Sequence, residues 1–133
     1  MRTTNGVTVK SAKSYGLNSW EDVKEPTEFI YAKYCKPFGQ RIYMYGVSLG
    51  GTICGNYLIE DDANHPLSGA ALYGAPFNCP MTIGGFKTRC FGLYDKVLGM
   101  KTKMQFAKYY PELRKYATNE QIKSYDAFMA NPN

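Results

Sequence analysis

Ser48 stands inside Gly46-Val47-Ser48-Leu49-Gly50, directly after the apolar run Ile42-Tyr43-Met44-Tyr45. This G-x-S-x-G spacing is that of a nucleophile elbow, in which a strand turns sharply into a helix and holds a serine at the tip. The serine backbone in such a turn is strained, and glycines at 46 and 50 let strand and helix pass close to each other. The chemistry predicted is acyl transfer. Ser48 is the candidate nucleophile, and the Leu49 N–H is one candidate donor of the oxyanion hole.

A serine hydroxyl is a weak nucleophile without a base in hydrogen-bond reach and a third group to orient that base. The one histidine, His65, is placed unfavourably by topology. Ser48 follows the first strand at its carboxyl end, whereas the next helix runs back and leaves Asp61, Asp62 and His65 at the opposite edge. Six strand residues at ~3.3 Å each separate the two edges by about 20 Å. The loop on the serine's own edge, residues 74–78, offers Asn78 rather than an acid. Asp95 and Asp126 reach the serine only if the later helices fold back over it. Gly46 to Gly51 also spells G-x-x-x-x-G, but Thr52-Ile53 replaces the lysine and hydroxyl residue that a phosphate loop requires. No G-x-G-x-x-G fingerprint is present, and the cysteines Cys35, Cys54, Cys79 and Cys90 show neither CxxC pairing nor zinc spacing. Neither a metal nor a cofactor is expected.

The elements that must position the serine follow from periodicity. Residues 1–18 read as loop. Ser19 offers an N-cap, and Val23, Thr27, Ile30 and Tyr34 recur at helical spacing, predicting a helix over 20–34. Pro26 either kinks it or belongs to the first turn of a helix that starts later. A buried strand over 41–47, a helix over 49–60 and a second strand over 67–73 form one strand–helix–strand unit with parallel strands. Gly50, Gly51 and Gly55 suit that helix only if it packs tightly on the sheet, because each costs about 1 kcal/mol against Ala. From Lys87 onward the pattern is helical, with Phe91, Tyr94, Val97 and Leu98 on one stretch. A second stretch over 101–110 is stopped by Pro111, and 112–117 and 120–129 are shorter ones. The fold class is thus α/β, with both strands within 1–86 and helical structure over 87–133. Two strands do not complete a parallel sheet, which is covered on both faces and has several strands.

One domain is the prior for 133 residues. The formal net charge is +5, with the excess concentrated between residues 87 and 123. Such an excess suits an anionic membrane surface or a solvated helix face; nucleic acid is not expected as a partner. Unpaired cysteines favour a reducing, intracellular setting. The polar start Met1-Arg2-Thr3-Thr4-Asn5 has no signal-peptide core, and no apolar run approaches the ~20 residues of a membrane helix, so the chain by itself is expected to be soluble or peripheral.

Tyr45-Gly46-Val47-Ser48-Leu49-Gly50-Gly51, with Asn56-Tyr57-Leu58, Leu67-Ser68-Gly69-Ala70-Ala71 and Ala75-Pro76-Phe77, resembles the α/β-hydrolase superfamily. Within it the chain is most similar to the branch of membrane-associated lipid esterases and lipases and their bacterial relatives. Looser likeness lies in Asn5-Gly6-Val7, Glu21-Asp22-Val23, Tyr94-Asp95-Lys96-Val97-Leu98 and 122–128. The resemblance implies a partial α/β-hydrolase fold, with a core over 1–86 and a helical insertion, or cap, over 87–133, and a Ser–Asp–His triad with Ser48 as nucleophile. It implies hydrolysis of carboxylic or lipid esters without a cofactor. The family's triad acid and histidine would lie beyond Asn133, and its first strands, second oxyanion donor and membrane anchor before Met1. Asn78 stands where relatives tend to have Asp. Two readings stay open: a serine hydrolase of which this chain is a central portion, and a non-catalytic remnant serving as a pseudoenzyme or interaction module. A third, compatible with the first, makes the basic helices over 87–123 a lid or a contact with an anionic membrane surface.

Overall fold

The computed structural model describes residues 8–131. Asn5-Gly6-Val7 lies outside the described residues. The chain divides into two compact units, Gly16–Cys79 and a second made of Pro80–Asn133 with the N-terminal Met1–Tyr15. Each is taken by itself.

The first unit is an α/β arrangement. Helix α1 (Glu21–Ile30) leads through a single π turn and a 3-10 turn to strand β1 (Ile42–Val47). Helix α2 (Leu49–Glu60) follows, and strand β2 (Leu67–Tyr73) returns parallel to β1. The pairing runs from Ile42 opposite Leu67 to Val47 opposite Tyr73, with one irregularity between Ile42 and Tyr43. α2 is the centre of this unit. Ile53 and Tyr57 are fully buried and Cys54 nearly so, while Leu67 closes the same core from β2. Met44, Gly46 and Leu72 face α2; Tyr43, Tyr45, Val47 and Tyr73 lie on the opposite, exposed face. Among the described residues of this unit the sheet is therefore covered on one side only.

Two expectations about α1 are corrected. The Ser19 hydroxyl does not cap the helix; it accepts from the Gly16 N–H at 3.0 Å and closes the preceding turn. Trp20 precedes the helix with helical backbone angles and makes no side-chain cap. Pro26 does not lie in the first turn of a later-starting helix: α1 begins at Glu21 and runs through it. Beside it, buried Thr27 donates its hydroxyl to the Val23 carbonyl at 2.7 Å. Lys24 reaches from α1 to the buried Asp61 at the end of α2, forming an ion pair and hydrogen bond.

The second unit is helical: α3 (Cys79–Thr88), α4 (Leu93–Arg114) and α5 (Asn119–Ala130), with α3 beginning at the boundary residue. Its core joins Val9 to Tyr109 and Leu113 of α4, with Phe106 and Tyr125 packed against it. Tyr125 also donates to the Ala12 carbonyl at 2.7 Å, tying the N-terminal segment to α5. Thr118 and Gln121 form a reciprocal capping box that starts α5. Pro111 does not stop the second helical stretch, as its spacing predicted; α4 continues to Arg114. A proline inside a helix costs about 3 kcal/mol. Burying Leu113 completely and Tyr109 nearly so offsets it, at roughly 2 kcal/mol per side chain. α3 begins well before Lys87, the expected start of helical structure. No helix among the described residues is long and apolar enough to cross a membrane.

Burial pushes the Cys54 thiol and the Tyr57 phenol above their ordinary pKa ranges, and the Asp61 carboxylate pushes Tyr57 further the same way. Both folded environments favour the protonated, neutral form. Their stabilisation is complete below the unfolded thiol and phenol pKa values of about 8.5 and 10, and is lost as pH rises through the higher folded values. The urea midpoint should therefore be flat near neutrality and fall above about pH 9. The Tyr57 hydroxyl has no hydrogen-bond partner among the described residues. Tyr57→Phe should remove part of the alkaline loss without lowering the neutral midpoint; a lower neutral midpoint would count against this account.

Candidate active site

β1 ends at Val47 and α2 begins at Leu49, so Ser48 is the whole of the turn between them. Its backbone sits at φ 52°, ψ −123°, a conformation that side-chain-bearing residues rarely adopt. Three hydrogen bonds hold it there. The Ser48 N–H donates to the Tyr73 carbonyl at the end of β2 (2.9 Å), and the Ser48 carbonyl accepts from Gly51 (2.9 Å) and Thr52 (3.2 Å). The side chain caps nothing and is exposed. Its hydroxyl is thus left to solvent at the carboxyl edge of the sheet. The Leu49 and Gly50 N–H groups open a helix of 12 residues and have no backbone partner among the described residues. They sit at the positive end of the helix dipole, where an anion is favoured.

The glycines divide the steric work unevenly. A Cβ on Gly46 would lie 2.7 Å from both the Gly50 carbonyl oxygen and the Gly51 Cα, so no side chain fits. A Cβ on Gly50 meets nothing within 4 Å. Gly51 takes over the second role: a Cβ there would be 2.9 Å from the Ala75 Cβ and 3.2 Å from the Gly46 oxygen. Gly55 makes room for the Phe77 ring, 2.6 Å from where its Cβ would stand. The loop after β2 is therefore seated directly on α2 through Ala75 and Phe77.

The candidate partners lie elsewhere. His65 precedes β2 at the amino edge, beside the start of β1, and its ring leans on Tyr57 with centroids 6.0 Å apart. Asp61 is engaged by Lys24 one helix length from Ser48, about 18 Å for 12 residues. Asp62 is exposed on the same far loop, and Asn78 is exposed beyond β2. Asp95 and Asp126 belong to the second unit, where Asp126 accepts from the Tyr110 hydroxyl. Among the described residues no base stands beside Ser48 within its own unit, and no three His, Cys, Asp or Glu side chains gather as a metal site. Cys35, Cys54, Cys79 and Cys90 are free thiols.

A strand, a strained serine, a helix threaded past two glycines and a parallel return strand are compatible with part of an α/β fold. The chain is 27% identical over 119 residues to an abhydrolase domain-containing protein of Dictyostelium discoideum. That alignment covers 88% of this chain and 30% of the relative, so the chain spans about a third of the relative's length. The likeness supports a link to the α/β-hydrolase superfamily. No protein-family model matches the chain, and no solved structure matches it.

Two stability measurements test the turn. Gly46→Ala should lower stability by about 3 kcal/mol, because the clash is with backbone, whereas Gly50→Ala should fall within about 0.5 kcal/mol of the parent. Ser48→Gly should raise the urea midpoint, since relief of roughly 1–3 kcal/mol of strain exceeds the entropic cost of a new glycine. A lowered midpoint for Ser48→Gly would show that the turn is unstrained.

Proposed function

We propose that this chain is the nucleophile-bearing portion of a serine hydrolase acting on carboxylic esters, of the lipid esterase or lipase type. The observation that carries the reading is Ser48 itself: exposed, at φ 52°, and directly before two helix-opening N–H groups with no backbone partner among the described residues. Attack by the Ser48 hydroxyl on an ester carbonyl forms a tetrahedral intermediate whose oxyanion the Leu49 N–H can meet. The hydroxyl proton passes to a base, and the alkoxide leaves with a proton to give an acyl-serine; water then releases the acid by the same steps. Base, orienting acid and a second oxyanion donor are assigned to segments outside these residues. Lipid esters are favoured as substrates by the resemblance of the elbow and its flanks to the membrane-associated branch.

The alternative, a non-catalytic remnant, draws on the absence of a base beside Ser48 among the described residues of its unit. A fluorophosphonate probe separates the two. The purified 133-residue chain should not be labelled, because its serine is unactivated. The product of the native transcript, expressed in its own cells, should be labelled at Ser48, and Ser48→Ala should abolish the adduct. An unlabelled native product would establish the remnant. Stoichiometric labelling of the short chain would show that the base lies within it.

A further inference from the structure

The helical unit carries a surface that the proposed hydrolysis does not use. Between residues 80 and 108 the charges are Lys87, Arg89, Lys96, Lys101, Lys103 and Lys108 against Asp95 alone, a balance equal to the chain's whole formal charge of +5. From 109 to 131 the cations Arg114, Lys115 and Lys123 are matched by Glu112, Glu120 and Asp126. Within the helices the excess positive charge therefore lies on the end of α3, the corner after it and most of α4, and Lys10 and Lys13 of the N-terminal segment add to the unit's balance.

The same stretch exposes apolar side chains. Met81, Leu93, Met100 and Met104 are all more than half exposed, and Phe91 is fully so at 104%. Phe91 is not on a frayed end. It sits in the corner between α3 and α4, where Cys90, Phe91 and Gly92 take consecutive left-handed backbone angles of φ 51°, 54° and 74°. A phenylalanine in that region is strained. Phe86 and Tyr94, from the two sides of the corner, pack with ring centroids 4.7 Å apart and brace it. A strained turn thus holds an aromatic ring in water, flanked along the chain by Lys87, Arg89 and Lys96.

Apolar side chains interleaved with lysines and an arginine suit an interface that is both anionic and oily. Long cationic side chains can keep their heads at phosphate level while neighbouring apolar groups enter the acyl boundary. A helix lying flat in that boundary has its apolar residues sorted onto one face. α4 does not: its lysines and apolar residues are mixed around it, so entry is confined to the corner. We propose that this corner is a peripheral membrane contact. Phe91 and Leu93 enter the headgroup region of an anionic phospholipid bilayer, and Lys87, Arg89 and Lys96 meet its charged headgroups. The contact is independent of whether Ser48 is reactive.

Co-sedimentation of the 133-residue chain with lipid vesicles tests this. Binding to phosphatidylcholine vesicles that contain phosphatidylserine should exceed binding to pure phosphatidylcholine by on the order of a hundredfold, and high salt should weaken it. Phe91→Gly suits the left-handed backbone, so it should keep the parent's helical circular dichroism while reducing binding by about tenfold. In Phe91→Trp, anionic vesicles should shift tryptophan emission to the blue by more than in the parent, whose one tryptophan is Trp20. Equal binding to neutral vesicles, unchanged binding by Phe91→Gly, or an unmoved Phe91→Trp emission would each overturn the proposal. So would a blue shift that grows with protein concentration in the absence of lipid, which would assign the corner to a second copy of the chain.

Discussion

The close seating of α2 on its two strands is the constraint on which the first unit depends. Gly46 admits no Cβ because the Gly50 carbonyl and the Gly51 Cα lie against it, and Gly51 and Gly55 in turn receive Ala75 and Phe77. These contacts set the helix so near β1 that a single residue must make the turn between them. Ser48 absorbs that demand in its backbone. The helix gives up intrinsic propensity at three glycines, about 1 kcal/mol each. It recovers stability by burying Ile53, Cys54 and Tyr57.

The strand–helix–strand unit was legible because each piece has its own local signal. β1 and β2 are short apolar runs bounded by glycine or proline, and α2 is a run of small and apolar residues with no proline. The requirement for tight packing was also legible, since so many glycines have no other use in a helix. Which glycines bear it was not. The spacing motif singles out Gly50, yet the space beside it is open, and Gly51 and Gly55 hold the closer contacts. Only the three-dimensional course of the 74–78 loop decides that. Ser19 shows the same limit on a smaller scale. Its type and place suit a helix cap, but a competing local bond to the Gly16 N–H takes its hydroxyl.

The helical unit was legible as helix and not as architecture. Pro111 carries a strong local stop signal, which a core formed with residue Val9 overrides from a hundred residues away. The Thr118–Gln121 capping box was written plainly in the sequence as a T-x-x-Q start, and it marks α5 better than periodicity does. The stretch over Phe91, Tyr94, Val97 and Leu98 shows why a repeating apolar side is incomplete information. The repeat says which residues share a stripe. It does not say that protein covers the stripe, and here all four are exposed.

The Ser48 turn is closed entirely by neighbours between Ile42 and Phe77: the Tyr73 carbonyl behind it, Gly51 and Thr52 ahead of it, and Gly46 beneath. The pose of the hydroxyl is thus underwritten by short-range contacts, whereas the base that the proposed chemistry requires does not stand beside it among the described residues of its unit. Posture and reactivity can therefore be inherited separately. A lineage can shed the base and keep the serine's stance unaltered. The spacing motif by itself then records ancestry rather than turnover. By the same logic this strand–helix–strand piece is a transplantable cassette: a scaffold that supplies a histidine near the serine's edge receives a serine already held in place.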